Sequence, residues 1–148
     1  MAFHFALATL LRLRESIERQ RALRLQEANL AVAEAEDRIM RLEQYLADSA
    51  RFDAADLAGG RRGAELQFAS LIRGNLETLR QDFRDQLRQL QAKRQQAAVE
   101  YQRAFREREA LETLRARQRR AYQQQTQRRE QRDLDAAFLI QSWRKDVE

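Results

Sequence analysis

The chain has 148 residues, a formal net charge of +5, and neither cysteine nor proline. Charged residues make up 34% of the chain, and the apolar residues are mostly leucine and alanine. This composition is typical of long helices and coiled coils rather than of a mixed globular domain. The lack of thiols excludes disulfides and thiolate metal sites, and it suits a reducing compartment.

The sequence opens with an apolar stretch, MAFHFALATLL, over residues 1 to 11. This stretch is too short to cross a bilayer, has no basic region before it, and continues directly into Arg12 and Arg14. It therefore predicts neither a signal peptide nor a transmembrane segment.

The first predicted helix covers residues 5 to 50 and carries an apolar seam. Its small and apolar side chains recur at alternating steps of four and three residues. This is the a/d spacing of a coiled coil, and such a face requires a partner helix. The seam positions are Ala28, Val32, Ala35, Ile39, Leu42 and Leu46.

Towards the N-terminus the seam positions are no longer apolar. The same register falls on three charged residues, Arg14, Glu18 and Arg21. An apolar stripe lies one position away from that register. It consists of Leu10, Leu13 and Ile17.

The stretch DLAGGRRGAE, residues 56 to 65, separates the two helical patterns. Its three glycines within five residues supply backbone freedom that a helix interior avoids, so we predict a turn over residues 51–64. The GGRRG segment lacks the Lys-Ser/Thr pair and the preceding strand of a phosphate-binding loop, and we interpret it as part of the turn.

The second predicted helix covers residues 65 to 143 and again steps by four and three. Gly74 lies inside this run and costs the helix about 1 kcal/mol relative to alanine, but one glycine does not end so long a pattern. The stepped residues are Ile72, Leu76, Leu79, Phe83 and Leu90.

Together the two patterns predict an all-α fold. We expect a two-helix antiparallel coiled-coil hairpin with a long overhanging C-terminal helix, in a single coiled-coil domain over residues 1–148. Folding about residue 59 places Leu42 opposite Leu76 and brings the first residues of the chain near Leu111. The second helix after Leu111 is then an overhang without a partner in its own chain.

The second half of the chain carries the excess of positive charge. Residues 51 to 148 contain 21 basic and 15 acidic residues, whereas residues 1 to 50 contain 7 and 8. The stretch LRARQRRAYQQQTQRREQRDLD, residues 114 to 135, holds seven arginines and almost no apolar residue. Three interpretations stay open: a solvated helix, a nucleic-acid-binding rod, or a helix that enters an acidic protein socket.

Nucleic-acid binding has no specific motif behind it. The arginines do not keep to one face of the helix, as a groove-reading helix prefers. Basic-zipper proteins also place their basic region before a parallel zipper, whereas here it follows an antiparallel seam.

The sequence does not predict an enzyme. His4 is the sole histidine, so one chain cannot assemble a nucleophile–histidine pair or a multi-histidine metal site. Carboxylates such as Glu34 and Asp37 alternate with Arg38 and Arg41, a spacing typical of weak intrahelical ion pairs. We expect no catalytic residue, metal site or cofactor.

Two segments carry a resemblance to a known family. They are FALATLLRLRE, residues 5 to 15, and REREALETLRARQRRAYQQQTQRREQRDLDAAFL, residues 106 to 139. The first segment begins with apolar residues and continues into Leu-Arg-Glu, and the second contains an arginine-rich stretch. In these features the two segments resemble the bacterial flagellar export protein FliJ family. The resemblance covers nearly the whole chain, including its length and hairpin plan.

The resemblance implies a stalk. FliJ proteins are soluble components of the flagellar type III export apparatus, look like the central stalk of rotary ATPases, and insert into the ring of the export ATPase. Here the inserted part would be the paired N- and C-terminal ends. The implied ring-binding residues are Phe5, Leu10, Leu11, Arg14, Leu111, Arg115, Arg117, Arg119, Arg120, Arg128 and Arg129.

The resemblance also implies contact with the cytoplasmic domain of the export gate, through a patch near the turn. Several patch positions are also seam positions, for which hairpin core is the competing interpretation, and Tyr45 and Phe83 are expected to show part of a ring outside. The sequence departs from the family at Ser49, where a second tyrosine is expected. The implied gate-binding residues are Leu42, Tyr45, Ile72, Leu76, Leu79 and Phe83.

The sequence thus favours a non-enzymatic stalk that binds an export ATPase ring and the export gate. The resemblance also implies export chaperones as partners, without a recognisable site, and a cytoplasmic location, peripheral at the inner face of the cell membrane. The alternatives are the stalk protein of a virulence type III secretion system and a basic coiled-coil rod that binds nucleic acid.

Overall fold

The structure is a computed structural model that describes residues 2–60 and 62–147. Two helices, α1 over Ala8–Ala58 and α2 over Gly63–Val147, account for nearly all of the described residues, which include no strand. The predicted all-α class is thereby confirmed. The chain divides into a terminal unit, Met1–Glu18 with Arg103–Glu148, and a turn unit, Arg19–Gln102.

The break between the two helices falls where the sequence supplies a reason. α1 continues eight residues beyond its expected end, because residues 51–58 contain alanine, leucine and arginine and no helix breaker. It stops at Gly59 and Gly60, and Gly60 adopts a φ of 86°, a left-handed conformation that a side chain disfavours. α2 then begins at Gly63 with Glu65 in its first turn, where a carboxylate suits the helix dipole.

The turn unit is an antiparallel helical hairpin with a thin apolar core. Val32, Ala35 and Leu42, all predicted seam positions, are buried. Glu43 accepts a hydrogen bond from Arg84 at 2.9 Å, so Leu42 does not lie opposite Leu76 as predicted. The register is displaced because α1 runs to Ala58 and the chain reverses after residue 59.

The terminal unit begins with a short non-helical segment, residues 2–7, that runs along α2. Its Phe3 ring lies 5.8 Å from the ring of Tyr122, and Phe5 is buried. An extended chain covers about 3.3 Å per residue against about 1.5 Å in a helix, so these few residues reach well beyond Leu111. The unpartnered part of α2 is therefore shorter than predicted.

The seam of the terminal unit keeps its register instead of shifting to the Leu10 stripe. Leu11 is 3% exposed, whereas Leu10 and Leu13 are 37% and 54% exposed. The charged seam residues Arg14 and Glu18 are half-buried and face α2. The apolar stripe over Leu10 and Leu13 consequently lies towards solvent.

Ion pairs join the helices at those charged positions. Arg14 donates to Glu107, and Arg108 donates to both carboxylate oxygens of Glu18, at 2.7 and 3.3 Å. In the turn unit, Arg21 and Glu100 form the corresponding pair at 2.5 Å. Charges that appeared to interrupt the seam are thus satisfied across it. The single-domain arrangement expected over residues 1–148 stays a prediction.

Candidate partner-binding surfaces

The residues implied for ring binding all lie in the terminal unit, but they differ in accessibility. Phe5 and Leu11 are buried by the chain's own residues, Leu111 is half-buried, and Arg14 is engaged with Glu107. These four hold the N-terminal segment and α1 against α2. A partner can touch the exposed members of the set, which are Leu10, Arg115, Arg117, Arg119, Arg120, Arg128 and Arg129.

The six exposed arginines form a basic segment, residues 115–129, on α2. Within the described part of the chain none of them forms an ion pair, and all six side chains are open to solvent. Because successive helix residues turn by about 100°, Arg115, Arg117 and Arg120 point in different directions around the axis. The segment therefore presents positive charge on every side, which attracts an acidic surface.

Arg108 belongs to the fold rather than to this free basic surface. Its hydrogen bonds to Glu18 raise the pKa of Arg108, although desolvation of the guanidinium partly opposes the shift. An arginine is already protonated at physiological pH, so the effect is to keep a fixed charge inside the seam. Arg108 also lies over the ring of Phe105, 5.0 Å from its centre.

The residues implied for gate binding all lie in the turn unit, and they too differ in how exposed their side chains are. Leu42 is buried and Leu76 and Phe83 are half-buried, as the core interpretation expects. Tyr45 is 58% exposed, and Ile72 and Leu79 are also exposed. The partly exposed tyrosine ring agrees with the sequence expectation.

A groove of about 550 Å³ runs between the two helices close to the turn. It opens where the seam has small or polar residues, Ser49, Asp53 and Ala69, which do not fill the space between the helices. An ion pair from Arg73 to Asp53 lies on its wall. The apolar part of the lining comes from Tyr45, Leu46, Phe68, Ile72 and Leu76.

Sequence reasoning missed four large apolar residues near this groove. Phe52, Leu57, Phe68 and Leu71 are all exposed. These four residues lie outside the positions spaced four and three residues apart. A two-helix core has no room for apolar residues outside the seam, so this spacing could have identified them as exposed. They enlarge the apolar surface around the predicted gate patch.

The described residues contain neither a membrane-spanning helix nor a metal-binding cluster. None of their helices is long and apolar enough to span a membrane. No group of three or more histidine, cysteine, aspartate or glutamate side chains among them is arranged to hold a metal ion. The basic segment and the groove are the surfaces that contain the exposed residues implied for partner binding.

Comparison with known proteins gives one match. Residues 3–146 match the model of the family described as Flagellar FliJ protein. No curated protein and no solved structure matches significantly. The match covers both helices and both candidate surfaces.

Proposed function

This chain belongs to the flagellar FliJ protein family, and from that membership we propose that it is the stalk of a flagellar export ATPase. Family membership makes it a flagellar export-related protein. The proposed role is non-enzymatic: the terminal unit inserts into the ATPase ring, promotes its assembly and activity, and links it to the export gate. The proposed location is the cytoplasm, at the inner face of the cell membrane.

The observation that carries this proposal is the basic segment. Six arginines within fifteen residues form no ion pair in the described structure, although elsewhere arginines pair readily with the chain's own carboxylates. Arg115 and Arg119 lie four residues apart, a spacing at which like charges slightly destabilise a helix. An acidic lining of a partner ring would pair them from several sides at once and would also speed association.

The proposed mechanism is a bias between conformations. A single stalk inside a ring of identical subunits contacts those subunits unequally, because it does not share their symmetry. A subunit that binds the stalk more tightly in one nucleotide state is shifted towards that state by the difference in affinity. Contacts at Arg115, Arg119 and Arg120 would supply that difference, and hydrolysis would move the contact from subunit to subunit.

The first test is the ATP hydrolysis rate of the cognate export ATPase. We expect wild-type protein to raise the rate or promote ring assembly, and a variant with glutamate at Arg115, Arg119 and Arg120 to lose the effect. The matched control carries glutamate at Arg24, Lys93 and Arg94, which are also exposed, and should behave like wild type. Equal losses in both variants, or no complex with wild-type protein, would contradict the stalk role.

We propose that the gate binds at the groove near the turn. Tyr45, Ile72 and Phe68 expose apolar surface there, and such surface is costly unless a partner covers it. Alanine at Tyr45 and Ile72 should weaken binding to the cytoplasmic gate domain about tenfold, and ATPase stimulation should persist. Alanine at the exposed Leu23 is the control, because Leu23 lies on the same unit away from the groove.

The alternatives make different predictions. The family match favours the flagellar apparatus over a virulence secretion system. A nucleic-acid-binding rod would bind duplex DNA with an affinity that falls steeply with salt, and would do so in the presence of the ATPase. The distribution of the arginines around the whole helix favours an enclosing protein partner over a DNA groove.

A further inference from the structure

The later part of α2 carries a third surface, the apolar anchor, defined as residues 134–143. Five large apolar side chains in this decapeptide are between 60% and 76% exposed. Nothing in the described part of the chain covers them, whereas water-exposed apolar patches of this kind generally mark a binding site. The five are Leu134, Phe138, Leu139, Ile140 and Trp143.

These side chains are spread around the helix. Leu134 and Phe138 are four residues apart and share one side. Leu139 and Trp143 share another side, roughly 140° away at about 100° per residue. Ile140 lies farther round still. A partner that touches one face of the helix would leave either the first pair or the second pair in water.

Charge and apolarity are also separated along the helix rather than around it. The basic segment contains six arginines, while residues 134–143 contain a single charged side chain, Asp135. A helix that lies on a membrane surface has an apolar face opposite a polar face, with both running along its length. The order observed here instead fits a socket with an acidic level followed by an apolar level.

We propose that the apolar anchor is enclosed on all sides by a collar of apolar side chains in the ATPase ring, beyond the level at which the ring pairs with the basic segment. This inference rests on the proposed stalk function and deepens it. The arginines orient and attract the helix, and the anchor supplies contacts that slow its dissociation, since apolar burial is not weakened by salt.

The test uses the full chain and the cognate ATPase with two double variants. One replaces Leu134 and Phe138 with alanine, and the other replaces Leu139 and Trp143 with alanine. Alanine keeps the helix and adds no charge. The control replaces Gln95 and Gln131 with alanine, because both are exposed and lie outside the basic segment and the anchor. Affinity for the ring and the hydrolysis rate are both measured, and circular dichroism checks the helix content.

Both apolar variants should weaken ring binding about tenfold or more, and the control by less than about twofold. The loss should persist in 0.5 M salt, in contrast to the loss caused by the arginine-to-glutamate variant. If only one of the two double variants weakened ring binding, the inference would be overturned, because the anchor would then lie against a surface on one side only.

Four further outcomes would also overturn it. If neither pair matters and the arginine variant still loses stimulation, the collar is wrong and the stalk role stands. If wild-type protein neither binds nor stimulates the ATPase, the stalk role fails as well. If light scattering shows a dimer that depends on only one of the two apolar pairs, the partner of the anchor is a second copy of the chain. If vesicles of anionic phospholipid bind the chain through only one of the pairs, the partner is a membrane.

Discussion

The seams of the two units differ in where they are apolar and where they are ionic. In the turn unit the middle of the seam is apolar, and Val32 and Leu42 are buried there. In the terminal unit the seam positions next to Leu11 are Arg14 and Glu18, which form ion pairs with residues of α2. The same heptad spacing therefore supports an apolar stretch in the middle of the turn unit and a partly ionic seam in the terminal unit, while the turn unit has one such seam pair of its own, Arg21 with Glu100.

The difference shows how a thin seam can combine stability with alignment. Burying an apolar side chain contributes roughly 1.5–3 kcal/mol, but the effect is non-directional and tolerates sliding of one helix along the other. A partly exposed ion pair contributes about 0–1 kcal/mol, yet sliding would separate its charges or bring like charges together. We infer that the apolar seam stabilises the turn unit and that the ionic seam aligns the terminal unit.

The largest effect should come from breaking the apolar seam. Replacing Val32 with aspartate places a charge where the side chain is 2% exposed, and should lower the free energy of unfolding by roughly 3 kcal/mol or more. Urea unfolding followed by circular dichroism measures the change. Aspartate at the exposed Leu30, two residues away, should change it by less than about 0.5 kcal/mol. Equal losses at both positions would contradict the assignment of the core.

A smaller but still large effect is expected from Leu11 in the terminal unit. Alanine there should cost about 2–3 kcal/mol, because a buried side chain is shortened and leaves a cavity. Hydrogen exchange over residues 8–18 would report the loss as faster exchange. Alanine at the exposed Leu13 is the matched change, and a larger effect there would show that the Leu10 stripe forms the seam after all.

The turn unit can also be stabilised. Gly74 lies inside α2 and a Cβ added to it would meet open space, so alanine should raise the free energy of unfolding by about 1 kcal/mol. Alanine at Gly60, where φ is positive, should instead lower it by about 1 kcal/mol. Thermal unfolding of both variants compares them directly. If both substitutions stabilise the protein, the turn geometry described above is wrong.

The smallest effect should come from the ionic seam, and a double-mutant cycle isolates it. Glutamine at Glu18 and Arg108, singly and together, should show favourable coupling, because these side chains are only 17% and 21% exposed. The cycle for Glu43 and Arg84, each 46% exposed, should show at most about 0.5 kcal/mol. Greater coupling for the exposed pair would contradict an aligning role of the ionic seam.

Much of the fold could be predicted from local pattern. The apolar steps through Val32, Ala35 and Leu42 indicated the buried face of α1, and Gly59 and Gly60 indicated the turn. The helix ends were less predictable, since residues 51–58 favour helix while the nearby glycines favour a turn. The register was wrong because it depends on where α1 stops, which shifts every cross-helix pair.

The candidate surfaces were predictable in part. An arginine-rich stretch without apolar residues indicated an exposed basic helix, and the side chains of Arg115 and Arg120 are indeed open. The sequence did not reveal that Phe5 and Leu11 are buried, because an apolar residue at a helix end suits packing and partner binding equally well. Nor did it reveal the groove, whose opening depends on how Ser49, Asp53 and Ala69 meet across the two helices.

The sequence by itself determined the all-α class and the approximate place of the turn, because helix periodicity and glycine content are local properties, and its resemblance to FliJ proteins gave the family. The tertiary structure alone decided which charges in the seam find partners and how far residues 2–7 reach along α2. It also decided which apolar side chains stay open. Those outcomes depend on distances between residues far apart in the chain, and a change of a few residues in register alters all of them together.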